Sequence, residues 1–367
     1  MNKKSLFLPV AIATMFLCAC GSKKASTSDE TDVTSKVYMT TDISPEGLVR
    51  VYEALGRPAQ GRVAVKISTG EPGRKKGGDK MSEEEMAKAL EAVGKSASDR
   101  KKEVQHAPDH KRNFLKPELI KDLVQKVNGT IVECNVAYGG RRNTTEAHLE
   151  AAREHGFFDI AQVDIMDADS DMVIPVKDTT HIKYNLVGAN LKNYDFMINL
   201  AHFKGHEMGG FGGVLKNQSI GVSSASGKAY IHTAGVTTNT REMWGHIGNQ
   251  IGFLESMAAA AQSVHDYFGN GERILYINVM NNMSIDCDCN AYPAAPLLKD
   301  IGILASTDPV ALDQACIDLV MSVKPEEGND NAPLLERIEK RHGTHTIDYA
   351  EKIGLGSKQY ELISIDK

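Results

Sequence analysis

The segment from Asn199 to Asn217 carries the densest set of chemically capable residues in this sequence. Two histidines, His202 and His206, and Lys204 follow an apolar stretch, and imidazole is the natural proton carrier near neutral pH. Either histidine alone would more commonly have a structural role, but their concentration with lysine and glycine favours a site. We therefore treat His202, His206 and Lys204 as candidate catalytic residues.

The same segment also predicts a binding site for a small anionic ligand. Glycine lets backbone N–H groups approach an anion closely, and lysine adds positive charge. The glycine spacing is not that of a P-loop. Together with an arginine between a predicted strand and a predicted helix, the candidate ligand-binding residues are Arg141, Lys204, Gly209, Gly210, Gly212, Gly213, Lys216 and Asn217.

Cys287 and Cys289, each preceded by an aspartate, form the second candidate site. Two cysteines separated by one residue are not expected to bond easily to each other, but both can face one soft cation. Thiolates together with the imidazoles of His202 and His206 suit a transition metal such as zinc or iron. The sequence thus predicts metal or redox chemistry at Cys287, Cys289, His202 and His206.

Two other uses of these cysteines stay open. Either could form a disulfide with Cys134 or Cys316, or both could be inert thiols. The spacing of the cysteines does not decide between these alternatives.

The elements that must position these residues alternate between strands and helices. Predicted strands lie at 62–68, 130–138, 195–201, 274–279, 301–305 and 360–365, and predicted helices at 117–127, 144–155, 240–268 and 309–320. This alternation predicts an α/β fold with a mixed or mainly parallel sheet and helices on both faces. Ligands of such sheets bind beyond the carboxyl ends of the strands, which is where the candidate segments begin.

Several motifs of the chain together resemble one known family. They are Val132-Glu-Cys-Asn135, Tyr138-Gly-Gly-Arg141, His202-Phe-Lys-Gly-His206, Gly209-Gly-Phe-Gly-Gly213, Leu215-Lys-Asn217, Asp286-Cys-Asp-Cys289, Asp300-Ile-Gly-Ile-Leu-Ala-Ser306 and Asp308-Pro-Val-Ala311. In this order they resemble the bacterial and archaeal family called domain of unknown function 362, whose members are often described as uncharacterised Fe–S center proteins. The resemblance spans roughly residues 36–366 and implies a fold and a site, but no reaction.

Many members of that family carry an inserted ferredoxin module. This sequence contains no C-x₂-C-x₂-C-x₃-C-P run, so we do not expect a [4Fe–4S] cluster. A charged insertion at about 74–112 separates segments that are contiguous in relatives, and we expect it to be solvated rather than a partner-binding arm.

The amino terminus is typical of an exported lipoprotein. A basic start and an apolar run lead to Leu17-Cys-Ala-Cys20-Gly-Ser22, which looks like a bacterial lipobox. We predict a signal peptide over 1–19, lipidation of Cys20, a flexible tether over 20–36 and a single α/β domain over 37–367. A cleaved signal without lipid is the alternative. Since no Asp follows Cys20, we expect an outer-membrane anchor facing the periplasm.

Composition narrows the function further. With 42 basic and 48 acidic residues, the net charge is −6, which argues against a nucleic-acid partner. The hypothesis is an exported, metal- or redox-linked protein whose Cys/His/Lys pocket holds a small anionic ligand. The alternative is a non-catalytic, lipid-tethered module that binds a small anion and uses its cysteines structurally.

Overall fold

The computed structural model describes residues 34–72, 114–291 and 293–367. The predicted signal peptide, Cys20, most of the tether and the charged insertion at 74–112 lie outside the described residues. The part from Thr34 to Lys367 forms one compact unit.

The described strands, in chain order, are β1 Ser35–Thr40, β2 Val63–Lys66, β3 Gly129–Glu133, β4 Val163–Ile165, β5 Asp171–Ile174, β6 Asn185–Gly188, β7 Phe196–His202, β8 Lys204–His206, β9 Gly210–Gly212, β10 Ile274–Met280, β11 Gly302–Ser306 and β12 Tyr360–Ser364. The described α-helices are α1 Pro45–Ala54, α2 Pro117–Lys126, α3 Thr145–Glu154, α4 Val214–Ser219, α5 Ala225–His232, α6 Gln250–Tyr267, α7 Pro309–Ser322, α8 Ala332–Lys340 and α9 His345–Lys352. Short 3₁₀ helices lie at Phe157–Asp159, Ala189–Asn193 and Met243–Gly245.

Eight of these strands form one sheet, in the order β12-β1-β11-β10-β7-β2-β3-β4. Neighbours from β10 to β4 are parallel, whereas β11 is antiparallel to both β10 and β1, and β12 is parallel to β1. The α/β fold with a mixed, mainly parallel sheet is therefore confirmed. The carboxyl ends of β2, β3, β7 and β10 meet at one edge of this sheet.

The sheet is covered on both faces, as the alternation of strands and helices predicted. Alternate residues of one strand enter different cores: Val63 and Val65 belong to the core that contains residues of α1 and α2, while Ala64 belongs to the core that contains residues of α6 and α7. This period of two follows from the pleat of a strand. Burial on both sides explains why the central strands are almost wholly apolar.

Most local predictions from the sequence match the described elements to within a few residues. Proline occupies the first turn of α2 and α7, and the Asp308 carboxylate caps α7 by accepting from the amides of Val310 and Ala311.

The predicted helix over 240–268 begins too early, since α6 starts at Gln250. The side chain of Asn249 accepts from the Gly252 amide and so fixes the helix start, and the preceding residues form turns and the short 3₁₀ helix Met243–Gly245. Strand β3 also ends earlier than predicted, because the chain folds into a loop closed by a bond from the Val136 amide to the Arg142 carbonyl. None of the described helices is both long and apolar enough to cross a membrane.

Candidate functional site

The histidine- and glycine-rich segment forms a β-hairpin at the carboxyl edge of the sheet. Strand β7 ends at His202, and β8 and β9 pair antiparallel with Lys204 opposite Gly212 and His206 opposite Gly210. Gly210 has a φ of 80°, a conformation that favours glycine. Part of the predicted glycine-rich turn is thus the short strand β9. Its partner, β8, contains Lys204 and His206.

Glycine lets this hairpin pack unusually close to its neighbours. A Cβ on Gly205 would lie 2.2 Å from the Ile285 carbonyl oxygen, and one on Gly213 would lie 2.2 Å from Oδ1 of Asp313. That carboxylate accepts from the amides at the start of α4, which fixes the end of the hairpin. Burial raises the pKa of Asp313 to about 6. These two glycines therefore allow the hairpin to pack closely against Ile285 and Asp313.

Asp288, between the two cysteines, attaches the cysteine loop to the hairpin. Its Oδ1 lies 3.0 Å from Nδ1 of His202, and its Oδ2 accepts from Lys204 Nζ at 2.9 Å. The Asp288 carbonyl also accepts from the Glu71 amide at 2.7 Å. Burial opposes ionisation of Asp288, but Lys204 and His202 outweigh it and hold the pKa of that carboxyl below its usual range. Asp288 is thus a structural anchor rather than a free ligand.

His202 is fully engaged by these contacts. Its second ring nitrogen, Nε2, lies 2.6 Å from the Asn281 carbonyl oxygen. Both ring nitrogens therefore already face oxygen atoms of the protein. In this arrangement, His202 offers no lone pair to a metal ion.

Cys287 and Cys289 are bonded to each other, so the expectation that they do not easily pair was wrong. In an extended chain, Cα atoms two residues apart are separated by about 7 Å, which is beyond the usual disulfide range. Here the loop turns, with the Asn290 amide donating to the Cys287 carbonyl, and the two Cα atoms are 5.2 Å apart. Cys287 is buried and Cys289 is partly exposed.

The other two described cysteines are free and buried, so the alternative disulfides to Cys134 or Cys316 are absent. The Cys134 thiol donates to the Val222 carbonyl, and the Asn278 amide donates to the sulfur of Cys316. Burial raises the pKa of both thiols, which disfavours the reactive thiolate.

Four side chains at this edge could hold a metal ion: His206, Glu207, Cys287 and Cys289. One donor atom of each lies within 4.8 Å of the others. Three of the four were singled out from the sequence. Glu207 was missed, although its place beside His206 was the available signal, and His202 lies outside this group.

The hydrogen bonds of His206 indicate which of its ring nitrogens carries the hydrogen. Its Nδ1 accepts from the amides of Gly209, at 2.8 Å, and Met208, at 3.2 Å. Burial lowers the pKa of His206 well below its ordinary value, so the ring is neutral with its hydrogen on Nε2. Coordination by His206 requires release of these amide bonds, whereas donation of a hydrogen bond from Nε2 does not.

Lys216, on α4, is the unusual cation of the site. Its ammonium has no hydrogen-bond or ion-pair partner among the residues that the structure describes. A Cβ on Gly212 would lie 3.7 Å from Cε of Lys204 and 3.9 Å from Cδ of Lys216, so the two lysine stems flank Gly212. Burial, and then the charge of Lys204, lower the pKa of Lys216 to about 7.

Asn217 connects α4 to the sheet. Its side chain accepts from Lys66 Nζ at 3.0 Å and donates to the Lys66 carbonyl and to Asn199 Oδ1. Both of its polar groups are thus occupied by protein. Its contacts fix α4, and with it Lys216, against the ends of β2 and β7.

A second group of charges lies beside the ends of β2 and β3, and we call Lys66, Glu71, Glu133 and Arg142 the paired cluster. Arg142 donates to Glu71 at 3.0 Å and contacts Glu133 at 3.5 Å, and Lys66 Nζ lies 3.8 Å from Glu133. Burial disfavours ionised Glu133, but Lys66 and Arg142 lower its pKa to about 2.

Residues of the hairpin, of α4 and of the cysteine loop described above form the other group. We call Lys204, His206, Glu207, Lys216, Cys287 and Cys289 the hairpin site.

The sequence suggested Arg141 as an anion ligand, but its ion pairs are with α3 and not with residues of the hairpin site. Its guanidinium pairs with Glu154 at 2.6 Å and with Glu150 at 3.5 Å, both on α3. A cavity of about 460 Å³ lies at the opposite edge of the sheet, between the start of β2 and the end of α2. It contains none of the residues of the hairpin site.

The fold and these contacts define an α/β protein with a Cys-x-Cys centre, a neutral histidine and two lysines at the carboxyl edge of its sheet. A family model described as "Domain of unknown function (DUF362)" matches residues 101–318, and the chain belongs to that family. The resemblance noted from the motifs is thereby confirmed. No curated protein sequence matches the chain.

Among solved structures, the lactate racemase apoprotein from Thermoanaerobacterium thermosaccharolyticum is similar at 12% identity and a TM-score of 0.36. The alignment covers 78% of this chain and 57% of that chain, so this chain spans less than two thirds of that protein. At this level, the likeness carries no information on activity, substrate or ligand.

Proposed function

We propose that the hairpin site is a reversible Cys-x-Cys redox centre whose reduced form binds a transition metal next to a small anionic ligand. One observation supports it most: donor atoms of Cys287, Cys289, His206 and Glu207 lie within 4.8 Å of one another, at a place where two sulfurs can also bond. No such grouping is needed for a purely structural disulfide.

Metal binding and the disulfide exclude each other, because only thiolates coordinate strongly. An external dithiol supplies the two electrons and two protons that convert the disulfide into two thiols, and is itself oxidised to a disulfide. Neutral His206 can donate a hydrogen bond from Nε2 to the thiolate that leaves, while the dithiol supplies its proton. Two thiolates with carboxylate or imidazole then suit zinc or iron better than calcium or magnesium.

The lysines supply the anionic side of the site. Lys204 is held in place by Asp288, and Lys216 has no partner among the described residues. Their stems both lie within 4 Å of the position that a Cβ of Gly212 would occupy, so an anion beside that glycine would meet the positive charge of both lysines. A ligand with a carboxylate or phosphate group fits this arrangement.

A second function, the anion-binding module with a structural disulfide, has one observation in its favour. Asp288 ties the oxidised loop to His202 and Lys204 through buried bonds, so the loop is already fixed without metal. Under this alternative, reduction would change stability but would create no metal site.

Metal titration of a chain that begins after Cys20 separates the two functions. Thiol counting should give two thiols before reduction, Cys134 and Cys316, and four after anaerobic reduction. Cobalt(II) should then bind to the reduced protein with thiolate-to-metal absorption, and not to the oxidised protein. Failure of the reduced protein to bind cobalt, zinc or iron(II) would leave the anion-binding module as the better proposal.

The matched variants each remove two thiols. Cys287→Ser with Cys289→Ser should abolish cobalt binding, whereas Cys134→Ala with Cys316→Ala should retain it. Equal cobalt binding by both double variants would contradict the proposed ligands.

We also propose that this site works outside the cytoplasm, on a chain anchored through lipidated Cys20 to the outer membrane and facing the periplasm. The support is the lipobox-like sequence Leu17-Cys-Ala-Cys20. Incorporation of labelled palmitate should occur in the native chain and be lost in Cys20→Ala. Secretion of an unlipidated native chain would support the simple cleaved signal instead.

A further inference from the structure

We infer that Lys216 is a nucleophile that forms an imine with a carbonyl compound bearing a negative charge, of which a 2-oxo acid is the simplest case. The inference rests on the proposed function in taking an anionic ligand at the hairpin site. It requires neither the metal nor reduction of the cysteines.

The first argument is a comparison among lysines of the same edge. Lys66 donates to Asn217 and to the Ile67 carbonyl, Lys204 donates to Asp288, and Lys228 donates to the Ser223 carbonyl. Lys216 alone among these four has no partner within the described part of the chain. Lys216 is also partly exposed, whereas the other three lysines are buried, so a ligand from solvent can approach it.

The second argument concerns the protonation state. The charged groups that act on Lys216 are Lys204, Asp288, Lys66 and Glu133. Burial and the two neighbouring cations outweigh the carboxylates, so a substantial fraction of the amine is neutral near pH 7. Only a neutral amine has the lone pair needed to attack a carbonyl carbon, and a nearby cation is one known way to secure it.

The third argument is the arrangement around Gly212. The stems of Lys204 and Lys216 both border the position that a Cβ of Gly212 would occupy. A carboxylate bound by the Lys204 ammonium would bring an adjacent carbonyl carbon towards Lys216. This pairing of a fixed cation with a neutral amine selects a compound that is both anionic and electrophilic.

The step is balanced without any oxidant or reductant. The lone pair of the Lys216 amine forms a C–N bond while the carbonyl π electrons move to oxygen, and one proton then passes from the nitrogen to that oxygen. The resulting carbinolamine loses its hydroxyl and the remaining amine proton as water, which leaves the imine.

Trapping with pyruvate and sodium borohydride tests the inference on the chain that begins after Cys20. Borohydride reduces the imine to a stable secondary amine, which peptide mass spectrometry locates. We expect modification of Lys216 at least about tenfold above exposed lysines, since each pKa unit changes the neutral fraction about tenfold. Modification spread evenly over exposed lysines would overturn the inference.

Variants and a second probe distinguish the parts of the inference. Lys216→Arg should lose the specific adduct while keeping the melting temperature, and an undiminished total adduct in that variant would contradict the assignment. Acetone, a neutral carbonyl compound, should label Lys216 much less than pyruvate, and equal labelling would refute the anionic class. Cys287→Ser with Cys289→Ser should retain the adduct even if the metal proposal fails, so the two failures are separable.

Discussion

The paired cluster and the hairpin site lie at the same edge of one sheet, yet they treat buried charge differently. In the paired cluster, the cations Lys66 and Arg142 face the carboxylates Glu71 and Glu133. The Thr69 amide also donates to Glu133, at 2.7 Å. In the hairpin site, Lys204 is paired, but Lys216 has no partner among the described residues.

This difference indicates that the paired cluster stabilises the fold, whereas Lys216 is available for binding. A buried ion pair whose members satisfy one another gives the fold a fixed arrangement, and removal of one member leaves a charge uncompensated. A cation that forms no ion pair contributes little to stability and is available to a ligand. We therefore expect mutations in the paired cluster to act on folding, and mutations of Lys216 to act on binding.

The largest effect should come from Glu133→Ala. Loss of this carboxylate leaves Lys66 and Arg142 with insufficient compensation, and we expect the free energy of unfolding to fall by about 3–5 kcal/mol. Urea denaturation of the variant measures this change.

The matched control for this change is Glu154→Ala, which removes a carboxylate from the more exposed pair with Arg141. An exposed pair of that kind contributes about 1 kcal/mol or less. If the two variants lose the same stability, the paired cluster is not a structural unit in the sense argued here.

A smaller, pH-dependent effect should come from His148, which packs beside the paired cluster and contacts Thr69 at 3.1 Å. Burial lowers the pKa of His148 to about 3, whereas the unfolded chain binds this proton near pH 6.5. Between those values the unfolded state holds more protons, so stability falls as the pH drops, by up to about 1.4 kcal/mol per pH unit.

His148→Gln should reduce that slope between pH 6.5 and 4, as measured by urea denaturation at several pH values. The exposed residue His246 supplies the control, and His246→Gln should leave the slope as it is. An unchanged slope in His148→Gln would show that this ring does not contribute to acid sensitivity.

The same comparison explains how much the sequence could reveal. The strands, most helices and the α/β class depend on local spacing, so apolar periodicity, Pro309 and the Asp308 cap were sufficient to predict them. The position of the candidate residues at strand ends followed from the same spacing, since parallel strands place their carboxyl ends together.

What the sequence did not reveal depends on contacts between distant segments. Asp288 binds His202 and Lys204, which precede it by more than 80 residues, and this occupies a histidine that the spacing had suggested as a metal ligand. The bond between Cys287 and Cys289 depends on a turn that composition does not specify. That Lys216 has no partner among the described residues is a property of the assembled edge, and the order of residues along the chain does not reveal it.

Substitution of Lys216 should have a modest effect on stability and a clear effect on binding. Lys216→Met removes a charge that has no partner in the described part of the chain, so the free energy of unfolding should stay within about 1 kcal/mol of the native value or increase. Lys66→Met is the contrasting control, because it removes a partner of Glu133 and Asn217 and should destabilise the protein. A loss of stability as large in Lys216→Met as in Lys66→Met would remove the distinction between the two regions.

The smallest change in stability is expected for Gly212→Ala, which tests the space between the two lysines. The added methyl group would meet Lys204 and Lys216 only at ordinary contact distances, 3.7 and 3.9 Å, so the fold accommodates it. The free energy of unfolding should change by about 0.5 kcal/mol, because the methyl group makes only ordinary contacts and alanine loses less backbone freedom than glycine in a strand.

Binding should nevertheless weaken in Gly212→Ala, because the methyl group occupies the position where an anion would meet both lysines. The measurement is the rise in melting temperature caused by pyruvate, which depends on binding to the native state. Gly245→Ala is the matched control, since a Cβ there meets no atom within 4 Å, and it should respond to pyruvate as the native chain does. A native response in Gly212→Ala would place the ligand elsewhere and reduce the unpaired lysine to a feature without a binding role.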